Sequence, residues 1–375
     1  MQTRGDSPGD DSLRAIINRY RPKLEPFEDL YRYFHSSPEL SSQEEETSAI
    51  AVDDLRKLEY EVHTHIGGYG VAGILRNGDG LAVLLRADMD ALPLEEKTGL
   101  PYASRKVVNG KDGVEKPVIH ACGHDTHVTS LMAGAELLHA ARDHWSDTVI
   151  YGLYEKIPKP DVVLSQHVMR MKTGTVSIHS GRLLTSADAF DVCIYGRGGH
   201  GSALQTCIDP IGIGATIITR LQTIVSREVI LGEMAVVSCG SIQAGHAANI
   251  IPDQLDLKFC VQAYDPKVRE RVLSTFERII EAECQAAGVV EKPLNKSTLS
   301  APATINDKAT EELVDWELVS ASEVFSVLAT SVEAPEVAVD QLSYNHHLFT
   351  PVIRPTICTT IDAIALGALT FLKQD

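Results

Sequence analysis

Apolar residues recur every three to four positions in several parts of the first half of the chain, a spacing typical of amphipathic helices. Residues 1–12 are polar and acidic, and we expect them to be a disordered leader. The predicted helices reach Leu24, include Phe27 to Phe34, span Glu44 to Leu58, and run from Thr126 to about Arg142. Two short apolar runs, GVAGILR and LAVLLRA, flank Asn77-Gly78-Asp79-Gly80, and a turn of this kind predicts a β-hairpin.

The pattern changes in the middle of the chain. Alternating apolar residues predict strands at Phe190 to Ile194 and Leu255 to Val261, and helical spacing returns at Ile211 to Val225 and Val268 to Ile280. The order strand, helix, strand, strand, helix indicates a small α+β unit inserted into an α/β domain. The predicted divisions are 1–184, 185–300 and 301–375.

Two further stretches concern how the inserted unit connects back to the outer domain. The segment from Pro293 to Pro302 contains proline and serine and is predicted to be the return linker. The run from Pro351 to Leu372 has helical spacing and is predicted to complete the core of the outer domain.

Composition narrows the function to small-molecule chemistry. Aspartate and glutamate number 51 against 34 lysines and arginines, so the net charge of −17 argues against a nucleic-acid partner. The polar start differs from a secretory signal, and we expect no stretch long enough to span a bilayer, which predicts a cytoplasmic protein without a membrane partner. The seven scattered cysteines contain no CxxC pair; six are predicted to be buried inert thiols, and Cys122 is the exception.

Two carboxylates follow an apolar strand in the segment RADMDALPL. Asp88 and Asp90 stand where open α/β sheets present functional groups, at the carboxyl end of a strand. Aspartate at a strand end is also ordinary turn chemistry, so this segment alone fits either a site or a solvated turn.

The segment HACGHDTH, residues 120–127, carries three histidines, a cysteine and an aspartate at a predicted helix start. Thiolate and imidazole are ligands that zinc favours, and a helix N-terminus helps to keep a thiol deprotonated. A metal site is therefore the favoured interpretation. Asp125 is predicted to be the N-cap of the following helix.

Three weaker signals lie elsewhere in the chain. His167 ends the apolar run of DVVLSQHV, and by itself it fits a structural histidine as well as a ligand. The glycines of GRGGHGS, residues 196–202, would let the backbone approach a ligand, or form only a tight turn. Asn345-His346-His347 is typical of a surface loop and offers one more candidate ligand.

Taken together, the motifs resemble the aminoacylase and carboxypeptidase family of two-metal hydrolases. The closest similarity is to its branch of indoleacetyl-amino-acid hydrolases, hippurate hydrolases and N-acyl-amino-acid amidohydrolases. The motifs that carry it, in chain order, are RADMDALPL, HACGHDTH, PKPDVVLSQHV, GRGGHGS and ASEVFSVLATS. The resemblance implies an α/β, two-domain metallohydrolase: a mixed-sheet catalytic domain in two sequence pieces, with an inserted α+β lid that also serves as a dimerisation domain.

The resemblance also implies roles for individual residues. Two divalent metal ions are expected, zinc by default with manganese or cobalt as alternatives. Cys122 would bridge the metals; the terminal ligands would be His124, His167 and His346. Asp88 would orient a ligand from the second coordination sphere.

The lid is expected to supply two further residues. His200 would reach the substrate or the developing oxyanion, and Asn249 would hold the substrate carboxylate. The implied partner is a small N-acyl amino acid or peptide, and the implied assembly is a homodimer through the lid.

One part of the family pattern is missing. A Gln-Pro-Ala-Glu-Glu stretch should follow the strand after the HACGHD helix and supply the general base and one more metal ligand. Here Thr148-Val149-Ile150 runs directly into Tyr151-Gly152-Leu153-Tyr154-Glu155, and Glu155 aligns with the loop after the missing pair. Two hypotheses follow: a metal-dependent amide hydrolase that works without this pair, or an inactive homologue that binds amino-acid conjugates or dimerises without turnover.

Overall fold

The computed structural model describes residues 12–110, 113–152, 157–169, 173–315 and 346–373. The chain forms two compact units. The first contains Met1–Ile178 and Ala309–Asp375, and the second contains His179–Lys308. The predicted divisions after residues 184 and 300 both fall inside the second unit.

The first unit is a mixed α/β structure, which confirms the predicted fold class. Numbered along the whole chain, its helices are α1 (Leu13–Tyr20), α2 (Leu24–Ser36), α3 (Glu45–Lys57), α4 (His124–Ala140), α7 (Lys308–Glu312, which starts at the end of the second unit) and α8 (Ile353–Leu372). Its strands are β1 (Glu61–Ile66), β2 (Gly70–Arg76), β3 (Ala82–Arg86), β4 (Val107–Asn109), β5 (Glu115–Pro117), β6 (Thr148–Tyr151) and β7 (Val162–Ser165).

The main sheet of the first unit has the order β1-β2-β6-β3-β7. The predicted hairpin between β2 and β3 is wrong, because β6 lies between them, antiparallel to β2 and parallel to β3. Asn77, in the turn after β2, stabilises this arrangement. Its side-chain amide donates hydrogen bonds to the carbonyl oxygens of Arg142 and Trp145, which lie just before β6. The hairpin of this sheet is formed by β1 and β2 instead.

Helix α8 completes the core of the first unit, as its spacing predicts. It packs against α4 and α1, and Ile361, Leu366 and Leu369 are fully buried. By length and composition alone, α8 is apolar enough to cross a membrane, so the expectation that no stretch reaches that length is wrong. Because 72% of its most apolar window is buried inside the protein, α8 has the character of a core helix.

The second unit is a four-stranded antiparallel sheet covered by two helices. Its elements are β8 (Gly181–Leu184), β9 (Ala187–Tyr195), β10 (Gly199–His200), α5 (Pro210–Thr223), β11 (Ala235–Gln243), β12 (Ile250–Ile251), β13 (Gln254–Ala263), α6 (Pro266–Ala286), β14 (Leu294–Ala301) and β15 (Thr304–Asn306). The sheet order is β11-β13-β9-β14, and α5 and α6 bury Ile217 and Phe276 against it.

Two further sequence expectations differ from the structure. The predicted return linker from Pro293 to Pro302 is instead the edge strand β14, which pairs with β9. Of the six cysteines expected to be buried, only Cys193 and Cys284 are; the other four are partly exposed.

Candidate metal centre

Three predicted ligands come together at the carboxyl ends of the parallel strands of the first unit. Cys122 precedes α4, His124 begins it, and His167 follows β7. Their donor atoms all lie within 4.8 Å of one another, and Cys122 Sγ is 3.3 Å from His167 Nε2. Residues 45 positions apart in sequence thus form one cluster.

Gly123 makes the turn that places Cys122 and His124 side by side. It is the N-cap of α4 and has φ +77°, a conformation that glycine adopts without strain. A Cβ at this position would lie 2.2 Å from Cγ2 of Val168, the residue after the predicted ligand His167. The glycine therefore also permits the close approach of the two segments that carry the predicted ligands.

The predicted N-cap, Asp125, does not cap α4. Its carboxylate is fully buried and lies 2.7 Å from His35 Nδ1, while its other oxygen accepts from the N–H of Thr126. Asp125 thereby forms part of a charge network behind the ligands, because a buried carboxylate needs a cationic partner.

His124 is oriented by the strand-end carboxylates. Its Nδ1 donates to the carbonyl oxygen of Asp90 at 2.8 Å and to Asp90 Oδ1 at 3.0 Å. The predicted orienting residue, Asp88, is further away: its Oδ2 lies 3.8 Å from His124 Nε2, and it forms an ion pair with Arg86. The sequence signalled both carboxylates, but the orienting contact to Nδ1 is made by Asp90.

His167 is fixed by the backbone of the residue that follows it. Its Nδ1 donates to the carbonyl oxygen of Val168 at 2.7 Å, which leaves Nε2 facing Cys122. The N–H of Val168 donates in turn to Nε2 of the buried His127 at 2.8 Å. Sequence reasoning gave His127 no role, although it stands in the HACGHDTH motif.

The surroundings favour a thiolate at Cys122. Burial alone would raise the pKa of its thiol, but hydrogen bonds with His124 and His167 outweigh burial and lower the pKa to about 7. Burial opposes the charge on His124, yet its contacts with Asp90 and Cys122 raise the pKa of His124 to about 11. The thiolate is the form that binds a metal.

The remaining histidines of the motif are held neutral. Burial, with the neighbouring His167 and His124, lowers the pKa of His127 well below its usual range. Burial also lowers the pKa of His120 to about 4, and both of its ring nitrogens lack hydrogen-bond partners in the described part of the chain.

His346 lies outside the three-residue cluster. Its ring stacks on His347 with centroids 4.1 Å apart, and its Nδ1 accepts from the N–H of Leu348 at 3.3 Å. The loop nevertheless approaches the site, because Pro351 Cγ would lie 3.3 Å from a Cβ on Gly123. Ligation by His346 stays a prediction.

His200 and Asn249 meet within the second unit. The two-residue strands β10 and β12 pair, and the N–H of Gly201 donates to the carbonyl oxygen of Asn249 at 2.8 Å. Both side chains are exposed, and His200 Nδ1 lies 2.8 Å from Ser202 Oγ. The structure thus brings these two predicted substrate-binding residues onto one ribbon.

Four sequence features lie outside the described residues. They are residues 1–11 of the predicted leader, Glu155, Asn345 and the ASEVFSVLATS motif at residues 321–331.

The donor set fits a borderline-soft divalent metal. One thiolate and two imidazoles suit zinc, and each imidazole keeps its Nδ1–H on an oxygen, as metal-bound histidines commonly do. Within the described ranges, no carboxylate joins the three-residue group.

Comparison with known proteins gives the family of this chain. Residues 84–153 match the model of peptidase family M20/M25/M40, and residues 184–287 match a peptidase dimerisation domain. Hippurate hydrolase of Campylobacter jejuni is 36% identical over 80% of this chain and 79% of its own. An N-acyl-L-amino acid amidohydrolase of Geobacillus stearothermophilus is 32% identical over 68% and 72%.

A solved structure has the same fold. The YXEP protein of Bacillus subtilis, described as a dinuclear metal-binding peptidase, superposes with a TM-score of 0.63 at 24% identity, over 96% of this chain and 99% of that one. The identity and coverage of these relatives confirm the family that the sequence motifs predict. The chain belongs to the M20/M25/M40 family of peptidases and amidohydrolases.

Proposed function

We propose that this protein hydrolyses the amide bond of N-acyl amino acids or short peptides with the help of bound divalent metal, zinc by default and manganese or cobalt as alternatives. The observation that carries the proposal is the convergence of Cys122, His124 and His167, whose donor atoms lie within 4.8 Å of one another. The names of the relatives support the choice of substrate class.

When bound at such a site, a divalent metal polarises a carbonyl and lowers the pKa of water. The protein's own residues hold the ligands ready for it. Asp90 and the Val168 carbonyl keep the protons of His124 and His167 on Nδ1, so that both Nε2 atoms are directed to the site. His346 would add a ligand, Asp88 would support His124, and His200 and Asn249 would contact the substrate.

A second candidate function rests on a different observation. The three-residue group includes no glutamate or aspartate from the described part of the chain, and the Glu-Glu pair of the family pattern is absent from the sequence. Loss of a general base removes about 10²–10⁴ in rate. The alternative is therefore a homologue that binds amino-acid conjugates without turnover.

Turnover separates the two candidates. The purified chain, loaded with zinc or manganese, is assayed on N-acetyl, N-benzoyl and indoleacetyl amino acids, beside Cys122→Ala and a Cys260→Ala control on the central strand β13 of the second unit. Slow hydrolysis that Cys122→Ala abolishes and the control keeps supports the enzyme. Metal-loaded, folded protein without hydrolysis supports the binding homologue.

We further propose that the chain forms a homodimer through the second unit. Strand β11 is an edge of the four-stranded sheet, and an unpaired edge is a ready surface for another chain. Ile242 on this strand is 53% exposed, and Met234, just before it, is 51% exposed. The match of residues 184–287 to a peptidase dimerisation domain supports dimerisation through this unit, and the choice of the β11 edge rests on its exposed apolar residues.

A further inference from the structure

Helices α4 and α8 pack against each other in the core of the first unit, and polar side chains lie between them. Ser130 Oγ of α4 lies 2.6 Å from Thr360 Oγ1 of α8. One turn further along α4, a Cβ on Gly134 would lie 2.9 Å from Cγ2 of Ile364. Both contacts join residues that are 230 positions apart, so the two helices run in the same direction and in register.

The same register places Thr126 of α4 opposite Thr356 of α8, one turn before the pair of Ser130 and Thr360. Thr126 is 1% exposed and Thr356 is 0% exposed, and neither Oγ1 atom has a hydrogen-bond partner in the described part of the chain. Thr129 Oγ1 is also buried and unpartnered among these residues. Side chains three residues apart are neighbours on a helix, so Thr129 lies beside Thr126.

The next turn shows how hydroxyls between these helices are satisfied by direct contact. Besides its contact with Ser130, Thr360 Oγ1 donates to the carbonyl oxygen of Thr356 at 3.0 Å. The hydroxyls of Thr126 and Thr356 make no such bond within the described ranges. A buried hydroxyl that gives up its bonds to solvent needs a replacement, and nearly all such groups in folded proteins bond to protein or to an internal water.

Water is the ligand whose chemistry fits these groups. A buried water makes about three hydrogen bonds, to polar groups that have no other partner. Each threonine hydroxyl can donate or accept, so one water can bond to Thr126, Thr129 and Thr356 together. A larger ligand has no access, because none of the three side chains reaches the protein surface.

We propose that one internal water molecule binds between the first turns of α4 and α8 and bridges Thr126 to Thr356, with Thr129 as its third partner. The water links the helix that begins at His124 to the C-terminal piece of the first unit. Helix α8 thereby helps to hold the start of α4, although its residues come from the far end of the sequence. The inference is independent of the proposed function and of metal loading.

Oxygen-17 relaxation dispersion of the solvent tests the site, because it counts the water molecules that stay inside a protein for longer than the protein tumbles. The metal-free wild type is compared with the double variant Thr126→Val/Thr356→Val, which keeps the shape of both side chains and removes both hydroxyls. We expect the double variant to hold about one long-lived water fewer. Thr370→Val is the control on α8, because its partly exposed hydroxyl donates to the carbonyl oxygen of Leu366, and it should leave the count unchanged.

Thermal unfolding of the same proteins tests whether the two hydroxyls act through one partner. Thr126→Val and Thr356→Val should each lower the melting temperature by about 2–4 °C, the effect of one lost hydrogen bond in a domain of this size. The double variant should lose less than the two single variants together, because it leaves neither hydroxyl of the bridge unpaired. Thr370→Val should melt at the wild-type temperature within about 1 °C.

The two measurements together distinguish water from the alternatives. Loss of one long-lived water with coupled melting temperatures supports the proposal. Coupled melting temperatures with an unchanged water count mean that Thr126 and Thr356 bond to each other directly, which overturns it. An unchanged count with no loss of stability in either single variant overturns it as well, because the hydroxyls then have no shared partner.

A crystal structure of the wild-type protein decides the matter if a valine variant does not fold. A spherical density peak within hydrogen-bond distance of both Thr126 Oγ1 and Thr356 Oγ1 supports the water. Direct contact of the two hydroxyls, or the absence of density between them, overturns the proposal.

Discussion

His35 Nδ1 lies 2.7 Å from Asp125 Oδ2, and both side chains are fully buried. The other ring nitrogen of His35 lies 3.1 Å from Glu96 Oε1, so one imidazole bridges two carboxylates behind the candidate metal ligands. Although burial opposes its charge, these contacts raise the pKa of His35 to about 9. The network is therefore a buried cation between two anions.

Removal of the cation should destabilise the first unit. His35→Phe keeps the ring volume but leaves Asp125 and Glu96 without their partner, and breaking a buried ion pair in this way costs about 3–5 kcal/mol. His63→Phe removes a partly exposed histidine that pairs with Glu61 and should change the free energy of unfolding by about 0.5 kcal/mol or less. Urea unfolding of the metal-free proteins measures both, and equal stabilities of the two variants would contradict the role of His35.

The same network predicts that the stabilising contribution of His35 depends on pH. The pKa of His35 is raised above its usual value of 6.5, so its stabilising contribution is complete below about 6.5 and is lost as the pH rises through about 9. Burial opposes ionisation of Asp125 and Glu96, but contact with His35 lowers both pKa values, so their contribution is lost on acidification. The stability difference between wild type and His35→Phe should be largest at about pH 5–6 and clearly smaller near pH 9. A difference that grows steadily towards pH 9 would refute the assignment.

Gly123, in the turn between Cys122 and His124, gives a second prediction about stability. Gly123→Ala places a Cβ in a left-handed conformation and 2.2 Å from the Val168 side chain. Gly99→Ala has a similar φ of +73° with nothing within 4 Å, so it carries the backbone strain alone, about 1–2 kcal/mol.

Gly123→Ala should therefore lower the free energy of unfolding by about 1–3 kcal/mol more than Gly99→Ala does, because the packed neighbours must shift. It should also weaken metal binding, since Val168 follows His167. Thermal unfolding measures the stability of the two variants, and competition with a chelating dye measures their zinc affinity. Equal losses of stability in the two variants would mean that the Val168 side chain moves away from the new Cβ without an energetic cost.

The second unit carries a prediction about assembly. Ile242→Lys introduces a charge on the exposed edge strand β11, and charged residues on edges oppose strand pairing. Leu299→Lys makes the same kind of change on the opposite edge, β14. Light scattering after size exclusion should find a dimer for wild type and Leu299→Lys and a monomer for Ile242→Lys. A wild-type monomer, or a dimer disrupted only by Leu299→Lys, would contradict the β11 surface.

The local parts of the site could be predicted from the sequence. Cys122 and His124 are two residues apart at a helix start, and His167 ends an apolar strand, so residue type and position were informative. The pairing of β6 between β2 and β3 could not be predicted, because the Asn77 turn has hairpin composition and only distant residues decide its partners. Asp88 and Asp90 have the same side-chain chemistry. The motif therefore could not show which of the two carboxylates contacts Nδ1 of His124.

His127 provides the most specific test of how the ligands are held. His127→Phe keeps an aromatic ring but removes the Nε2 acceptor of the Val168 N–H, and Val168 in turn fixes the tautomer of His167. Loss of such an outer hydrogen bond typically costs about 10–100-fold in metal affinity. His127→Gln retains a side-chain acceptor and should recover part of the affinity.

Cobalt titration, read from the thiolate absorption band, measures affinity without any turnover. Circular dichroism and thermal unfolding identify a variant that has lost its fold. If His127→Phe and His127→Gln weaken cobalt binding equally while remaining folded, His127 contributes through packing, and the hydrogen bond to Val168 does not orient the ligand.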